Sequence, residues 1–176
     1  MNKKERRIII GDVHGYYDGV IRLLNKIKPN LEDQIYFLGD LIDRGPDSNK
    51  VVTFVRRSNY KCIRGNHEQM LIDSFSISGK VNGQALQAWL YAGGQTTAAS
   101  YGKNGIPQED LDWIRNLPTY FDLGDVWLVH AGIDPELPLT KQNENQFCWI
   151  REEFHRMKEP YFPNKLIITG HTMTFT

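Results

Sequence analysis

Cysteine is scarce in this chain: Cys62 and Cys148 are the only two in 176 residues. They are too few and too far apart for a disulfide framework or a thiolate zinc site. No excess of one charge exists either, with Lys plus Arg and Asp plus Glu at 21 each. No bulk field therefore favours nucleic acid or an anionic membrane, although net charge does not exclude a local basic pocket. No apolar run approaches the ~20 residues of a membrane span, and the opening MNKKERR leads straight into an apolar stretch rather than a signal peptide. Repeats, low-complexity tracts and linker-like segments are missing as well. These absences leave a soluble, cytoplasmic enzyme or binding protein, one domain over residues 1–176 with a core large enough to need no staples.

What is present centres on IYFLGDLIDRG at 35–45. A short apolar run reads as a buried strand, and Gly39 gives it a sharp exit. Asp40, Asp43 and Arg44 then project from the C-terminal mouth of that strand, where open α/β sheets keep their ligands. Asp40 is a hard oxygen donor for a metal, Asp43 can orient a neighbouring acid or base, and Arg44 can grip an anion with its planar fork. Alone, the segment is equally readable as a polar turn with an internal Asp–Arg pair.

The same design recurs along the chain. RRIII at 6–10 stops at Gly11, with Asp12 and His14 two residues apart, a spacing that in an extended segment points both side chains the same way. A helix is expected over 17–28, with Val20, Leu23, Leu24 and Ile27 on one face, and another over 48–57 with Ser48 as its cap. A third strand at 60–63 opens into Arg64, Gly65, Asn66, His67 and Glu68. Strands separated by helices predict a parallel βαβαβ start. Residues 68–117 read as helical and hold no recognisable chemistry; they are expected to form a helical insertion or cap beside the site, broken at Gly93-Gly94. A hairpin is expected over 119–129, ending in His130-Ala131-Gly132. Residues 145–158 then read as one helix with Arg151 near its middle, and a strand at 166–169 ends in Gly170-His171.

Collected, the polar groups at strand ends are Asp12, His14, Asp40, Asn66, His130 and His171. Two carboxylates, one amide and three imidazoles without a thiolate suit Mn, Fe, Zn or Co. Six such ligands are too many for one tetrahedral ion and natural for two ions sharing a carboxylate, which can activate a bridging water and clamp both oxygens of an in-line displacement. His67, Asp43, Arg44 and Arg151 remain as a candidate general acid, its orienting carboxylate and two cations for phosphoryl oxygens. A lone histidine is usually structural, and His155 on a charged helix reads that way. Four of the five histidines instead follow strand-like runs in glycine-flanked turns.

The ordered segments GDVHG (11–15), GDLIDRG (39–45), RGNHE (64–68), HAG (130–132) and GH (170–171) resemble the signature of the phosphoprotein phosphatase branch of the calcineurin-like metallophosphoesterases. HAG in place of the eukaryotic HGG makes the chain similar to the bacterial and phage-type members. The resemblance implies an α/β fold, a β-sandwich of mixed sheets flanked by helices, with C-terminal strands expected beyond the last residue of this sequence. It implies two divalent ions, manganese foremost, with iron, zinc, cobalt or nickel as alternatives. Asp12 and His14 would bind the first ion, Asp40 would bridge, and Asn66, His130 and His171 would bind the second. His67 paired with Asp43 would protonate the leaving alkoxide, while Arg44 and Arg151 hold phosphate.

The implied activity is hydrolysis of phosphoserine or phosphothreonine, with phosphotyrosine as an extension, on a protein or peptide partner and without nucleic acid or membrane. A second class of relatives hydrolyses dinucleoside polyphosphates, and these resemble GDLVARG at the second block and GNHD at the third. Asp43 and Glu68 set this chain on the phosphatase side. A catalytically dead metal-binding module is the third reading; it requires loss of His67 or of a ligand, and none is missing.

Overall fold

The computed structural model describes residues 5–173, so the MNKK opening and the last three residues lie outside it. Strands β1 (Arg7–Ile10), β2 (Gln34–Phe37) and β3 (Lys61–Cys62) form a parallel sheet in that order. Ile8 lies opposite Ile35, and Phe37 opposite Cys62. The crossovers are helices α1 (Tyr17–Ile27) and α2 (Ser48–Arg57). Helix α1 buries Val20 and Leu24, as their spacing predicts, whereas Leu23 is 40% exposed. It stops where Lys28 turns left-handed at φ 49° and donates its N–H to Leu24 O. Ser48 is the first helical residue of α2 rather than its cap, which is Asp47.

Residues between the sheets fold as α3 (Asn66–Ser74), α4 (Gly83–Trp89), a wide π-helical turn (Leu90–Gly94), α5 (Gln95–Tyr101) and α6 (Gln108–Arg115). The break falls at Gly93, whose φ of 118° only glycine adopts readily. Strands β4 (Tyr120–Asp122) and β5 (Val126–Val129) then pair antiparallel, and β6 (Leu166–Ile168) joins β5 in parallel. The second sheet is thus mixed.

The expected helix over 145–158 is two helices, α7 (Glu144–Trp149) and α8 (Glu152–His155), with a break at Ile150-Arg151. Arg151 sits at that break with φ −132° and ψ −85°, not in mid-helix. His155 is exposed on α8.

Alternation along the strands builds a four-layer sandwich. Ile8, Ile10, Ile35, Phe37 and Cys62 pack against the helices outside the first sheet. Ile9, Tyr36, Leu38 and Ile63 face the second sheet, where Phe121, Val126, Leu128 and Ile168 meet them. Trp127, Val129 and Ile167 cover the outer face with Phe147 and Cys148 of α7. Both layers of sheet are therefore apolar on two faces, as the continuous runs in the sequence require. Among the described residues no helix is long and apolar enough to cross a membrane.

Candidate active site

Strands β1, β2 and β3 in one sheet, and β5 and β6 in the other, all release their chains toward one edge of the sandwich. Asp12, His14, Asp40, His130 and His171 lie in the turns just past those strand ends, and Asn66 opens helix α3 just past β3. The turns are laced together by backbone: Val13 and His14 donate N–H groups to Asp40 O at 2.9 and 2.8 Å, Gly45 donates to His14 O at 2.9 Å, and Gly170 donates to His130 O at 2.9 Å. Gly39, at φ 88°, makes the β2 exit possible, because a side chain there would enter the backbone of Arg64-Gly65. Among the described residues six non-glycine positions have positive φ, and five of them are His14, Asp40, Asp43, Arg44 and His171. Left-handed backbone costs about 1–3 kcal/mol per residue and gathers where function demands a particular aim. His14 at φ 49° also shows that the β1 exit is a turn and not the extended segment that the two-residue spacing of Asp12 and His14 assumes.

Asp40 is the centre of the cluster and is almost wholly buried. Its Oδ2 lies 3.7 Å from His14 Nε2 and its Oδ1 3.5 Å from His130 Nε2. One carboxylate thus presents a different oxygen to each imidazole. His14 Nδ1–H donates to Ile42 O at 3.0 Å and His130 Nδ1–H to Leu38 O at 2.7 Å, which leaves both Nε2 lone pairs facing inward. Two trios can hold an ion, His14–Asp40–His67 and Asp40–His130–His171, and Asp40 belongs to both.

The donor chemistry fits two divalent cations. Asn66 Oδ1 lies 3.0 Å from His130 Nε2, so two lone-pair donors face one another, an arrangement that a cation relieves. His171 donates Nδ1–H to Asn66 Oδ1 at 3.0 Å, and its buried Nε2 has no partner in the protein. Burial lowers the pKa of His14 and His130, and that of His171 to about 3 with help from His130 and Arg151, so all three are neutral imidazoles at neutral pH. Burial also pushes Asp40 up to about 7 against the pull of His67, as expected for a carboxylate that needs cations beside it.

Two of the expected site residues sit differently from the trios. Asp12 is exposed, and its Oδ1 accepts the His171 N–H at 3.1 Å, bridging the ends of β1 and β6. His67, expected to be an acid, falls within the first trio, with Nε2 4.0 Å from Asp40 Oδ2.

The Asp43–His67 pair is the tightest carboxylate–imidazole link in the site. His67 Nδ1–H donates to Asp43 Oδ2 at 2.6 Å, with Asp43 fully buried and His67 nearly so. Burial alone would lower the pKa of His67, but the Asp43 hydrogen bond and the charges of Asp40 and Asp43 outweigh it and raise it. Arg44 reaches across the opening, its Nη1 and Nη2 donating to His14 Nε2 at 2.8 Å and His67 Nε2 at 3.1 Å. Arg151 stands further out, donating to His171 O at 3.3 Å and Thr172 Oγ1 at 3.0 Å.

Sequence reading missed three supports. Glu68 accepts N–H groups from Asp40, Leu41 and Gly65. Trp89 and Thr97 hydrogen-bond Asp43, so the helical segment reaches the site through that buried carboxylate. Glu68 is visible within RGNHE; nothing local marks Trp89 or Thr97, which reach the site only through the packing of α4 and α5.

Comparison with known proteins finds a family and several relatives. A family model described as calcineurin-like phosphoesterase matches residues 6–175. Over 152 residues the chain is 36% identical to serine/threonine-protein phosphatase 1 of Salmonella typhimurium, covering 82% of this chain and 68% of that protein. Over 166 residues it is 28% identical to the symmetrical bis(5'-nucleosyl)-tetraphosphatase of Pasteurella multocida, covering 89% of this chain and 56% of that protein. The chain therefore spans little more than half the length of that tetraphosphatase. A crystal structure of a metallophosphoesterase from Sphaerobacter thermophilus superposes with a TM-score of 0.65 at 23% identity, over 94% of this chain and 59% of that one, which shows the shared fold.

Proposed function

The chain belongs to the calcineurin-like phosphoesterases, and within that family we propose that it hydrolyses phosphoserine and phosphothreonine monoesters of proteins or peptides, with phosphotyrosine as a further substrate. The observation that carries this reading is the buried Asp43–His67 pair at 2.6 Å. A serine or threonine alkoxide is a poor leaving group and needs a proton in the transition state, for which general acids contribute roughly 10²–10⁴-fold. Symmetrical cleavage of a dinucleoside tetraphosphate expels a nucleoside diphosphate, which departs as a stable anion and needs no such donor.

In this reading the phosphoryl oxygens draw Arg44 off His67 Nε2, which then takes up a proton beside the Asp43 carboxylate; Asp43 holds the ring by Nδ1, so that Nε2–H faces the leaving oxygen. Arg44, already beside His67 Nε2, grips two phosphoryl oxygens with its fork and orients the ester for in-line attack. Arg151 adds a second cation at the rim. Asp12, His14 and Asp40 would hold one divalent ion, and Asp40, Asn66, His130 and His171 the other. When bound, the two ions supply Lewis-acid charge and lower the pKa of nearby water. Manganese suits this nitrogen and oxygen set, as do iron, zinc and cobalt. The partner is a phosphorylated protein or peptide, and the balanced charge gives no reason to invoke nucleic acid or a membrane.

The second reading, hydrolysis of dinucleoside polyphosphates, is supported by the relatives that bear the tetraphosphatase name. One experiment separates the two: turnover of a phosphothreonine peptide against diadenosine tetraphosphate, with Mn²⁺ added. Preferential release of phosphate from the peptide is expected. Preferential cleavage of the dinucleotide would replace the first reading by the second.

A further inference from the structure

Asp43 is fully buried, yet no lysine or arginine pairs with it among the described residues; its partners besides His67 are neutral donors from the helical segment. Trp89 Nε1–H, at the end of α4, lies 3.1 Å from Oδ1 and 3.0 Å from Oδ2. The Thr97 hydroxyl on α5 donates to Oδ1 at 2.6 Å. Because that proton is committed to the carboxylate, the hydroxyl of Ser48, 2.9 Å from Thr97 Oγ1, supplies the proton between the two. The Asp43 N–H closes the ring by donating to Thr97 Oγ1 at 2.8 Å and Ser48 Oγ at 3.1 Å. Trp89 and Thr97 are themselves almost entirely buried, so water does not substitute for them.

This is more than packing requires. Trp89 already stands edge-on to Phe75 at 6.2 Å, and an apolar residue of similar size would fill that space. Its N–H instead straddles both oxygens of one carboxylate. The carboxylate cannot then rotate about Cβ–Cγ without losing hydrogen bonds on either oxygen, and the plane it keeps is the one that meets His67 Nδ1.

We propose that Trp89 and Thr97 are positioning residues: the helical segment between the sheets clamps Asp43 so that His67 delivers its proton to the leaving oxygen. The inference rests on the general-acid reading of His67 and adds to it a role for α4 and α5. Neither residue touches substrate. Their effect passes through Asp43 and His67 alone and is therefore specific to esters that need the proton.

The test compares a phosphothreonine peptide with p-nitrophenyl phosphate, whose leaving group departs unaided, on the full chain with Mn²⁺. Thr97→Val removes the hydroxyl at nearly constant volume, and Trp89→Phe removes the N–H while keeping an aromatic ring. Each is expected to lower kcat for the peptide ~10-fold or more relative to kcat for p-nitrophenyl phosphate, within the range of general acid catalysis. KM for the peptide and the metal content are expected to match the parent, and Thr97→Ser is expected to restore the ratio. Equal slowing of both esters by Thr97→Val, or no recovery in Thr97→Ser, overturns the inference. His67→Asn serves as the separate control. If His67→Asn itself slows both esters equally, the general-acid reading has failed; if only His67→Asn is selective, the positioning inference alone has failed.

Discussion

Glu68 holds Asp40 by its backbone: Glu68 Oε2 accepts the Asp40 N–H at 2.7 Å, and Oε1 accepts the next N–H, that of Leu41, at 2.8 Å. Asp40 answers in kind, its Oδ1 accepting the His67 N–H at 3.0 Å. The β2 exit and the first turn of α3 are thus fastened by reciprocal carboxylate-to-amide bonds. Asp40 can be kept at φ 51° because its backbone is tied down on both sides.

Replacing Glu68 by Gln puts an NH₂ group where one carboxylate oxygen receives N–H groups. At least one buried N–H is left facing a donor. Removing a partner from a buried polar group costs about 1–3 kcal/mol, and more for a charged one. On that scale Glu68→Gln is expected to lower stability by ~2–4 kcal/mol in thermal or urea unfolding and to weaken metal binding through Asp40. Unchanged unfolding would show that the bracket is dispensable.

The shared role proposed for Asp40 makes its own prediction. Its two oxygens face His14 and His130 separately, so Asp40→Asn removes charge from both trios at once. Both ions are expected to bind more weakly, by more than the ~10–100-fold that losing a supporting partner costs. Metal titration with elemental analysis reads this directly. Two ions held as tightly as in the parent would contradict a shared carboxylate.

Much of this site is legible in the amino-acid sequence, and the reason is local. Asp12, His14, Asp40, Asn66, His130 and His171 each lie within a few residues of an apolar run that ends in a turn. Parallel strands send all such turns to the same edge. The two-sheet arrangement is not readable from the strands themselves, because Tyr36 and Phe37 are both apolar and the run does not say which face meets a helix. Arg151 reads as a mid-helix residue for a similar reason: NQFCWIREEFHRMK is helical in composition throughout, and only the Ile150-Arg151 break turns the arginine toward His171. Trp89 and Thr97 stay hidden because Asp43 lies some fifty residues from either, and only the packing of α4 and α5 supplies the link.

The buried thiols predict a loss of stability at high pH. Burial raises Cys62 well above its ordinary value of 9.0 and pushes Cys148 up to about 12. Above pH 9 the unfolded chain releases these protons while the folded chain keeps them, so the unfolded state binds fewer protons and stability falls as pH rises. The contribution is complete below pH 9 and, for Cys148, disappears as pH climbs toward 12, at about 1.4 kcal/mol per pH unit for each thiol that ionises only in the unfolded chain. Denaturant unfolding from mildly to strongly alkaline pH is expected to show this slope, and a Cys62→Ala, Cys148→Ala double variant to show a shallower one. Equal slopes would place the titration elsewhere.

Arg151 is tied to the site by its contacts with His171 O and Thr172 Oγ1, yet its side chain is exposed and solvated. An exposed cation attracts phosphate in the ground state and the transition state alike, so its removal changes affinity rather than the chemical step. Arg151→Ala is expected to raise KM for a phosphothreonine peptide several-fold, with kcat within about twofold of the parent and the same metal content. Arg44 is exposed as well but differs in being held in place, because its fork already bridges His14 and His67 at 2.8 and 3.1 Å. Arg44→Ala is expected to lower kcat strongly, ~100-fold or more, as the loss of a positioned charge beside the reacting phosphorus does. Steady-state kinetics on the two variants side by side check the division of labour. If Arg151→Ala lowers kcat as much as Arg44→Ala does, the outer arginine closes over the reacting group during turnover and belongs with Arg44.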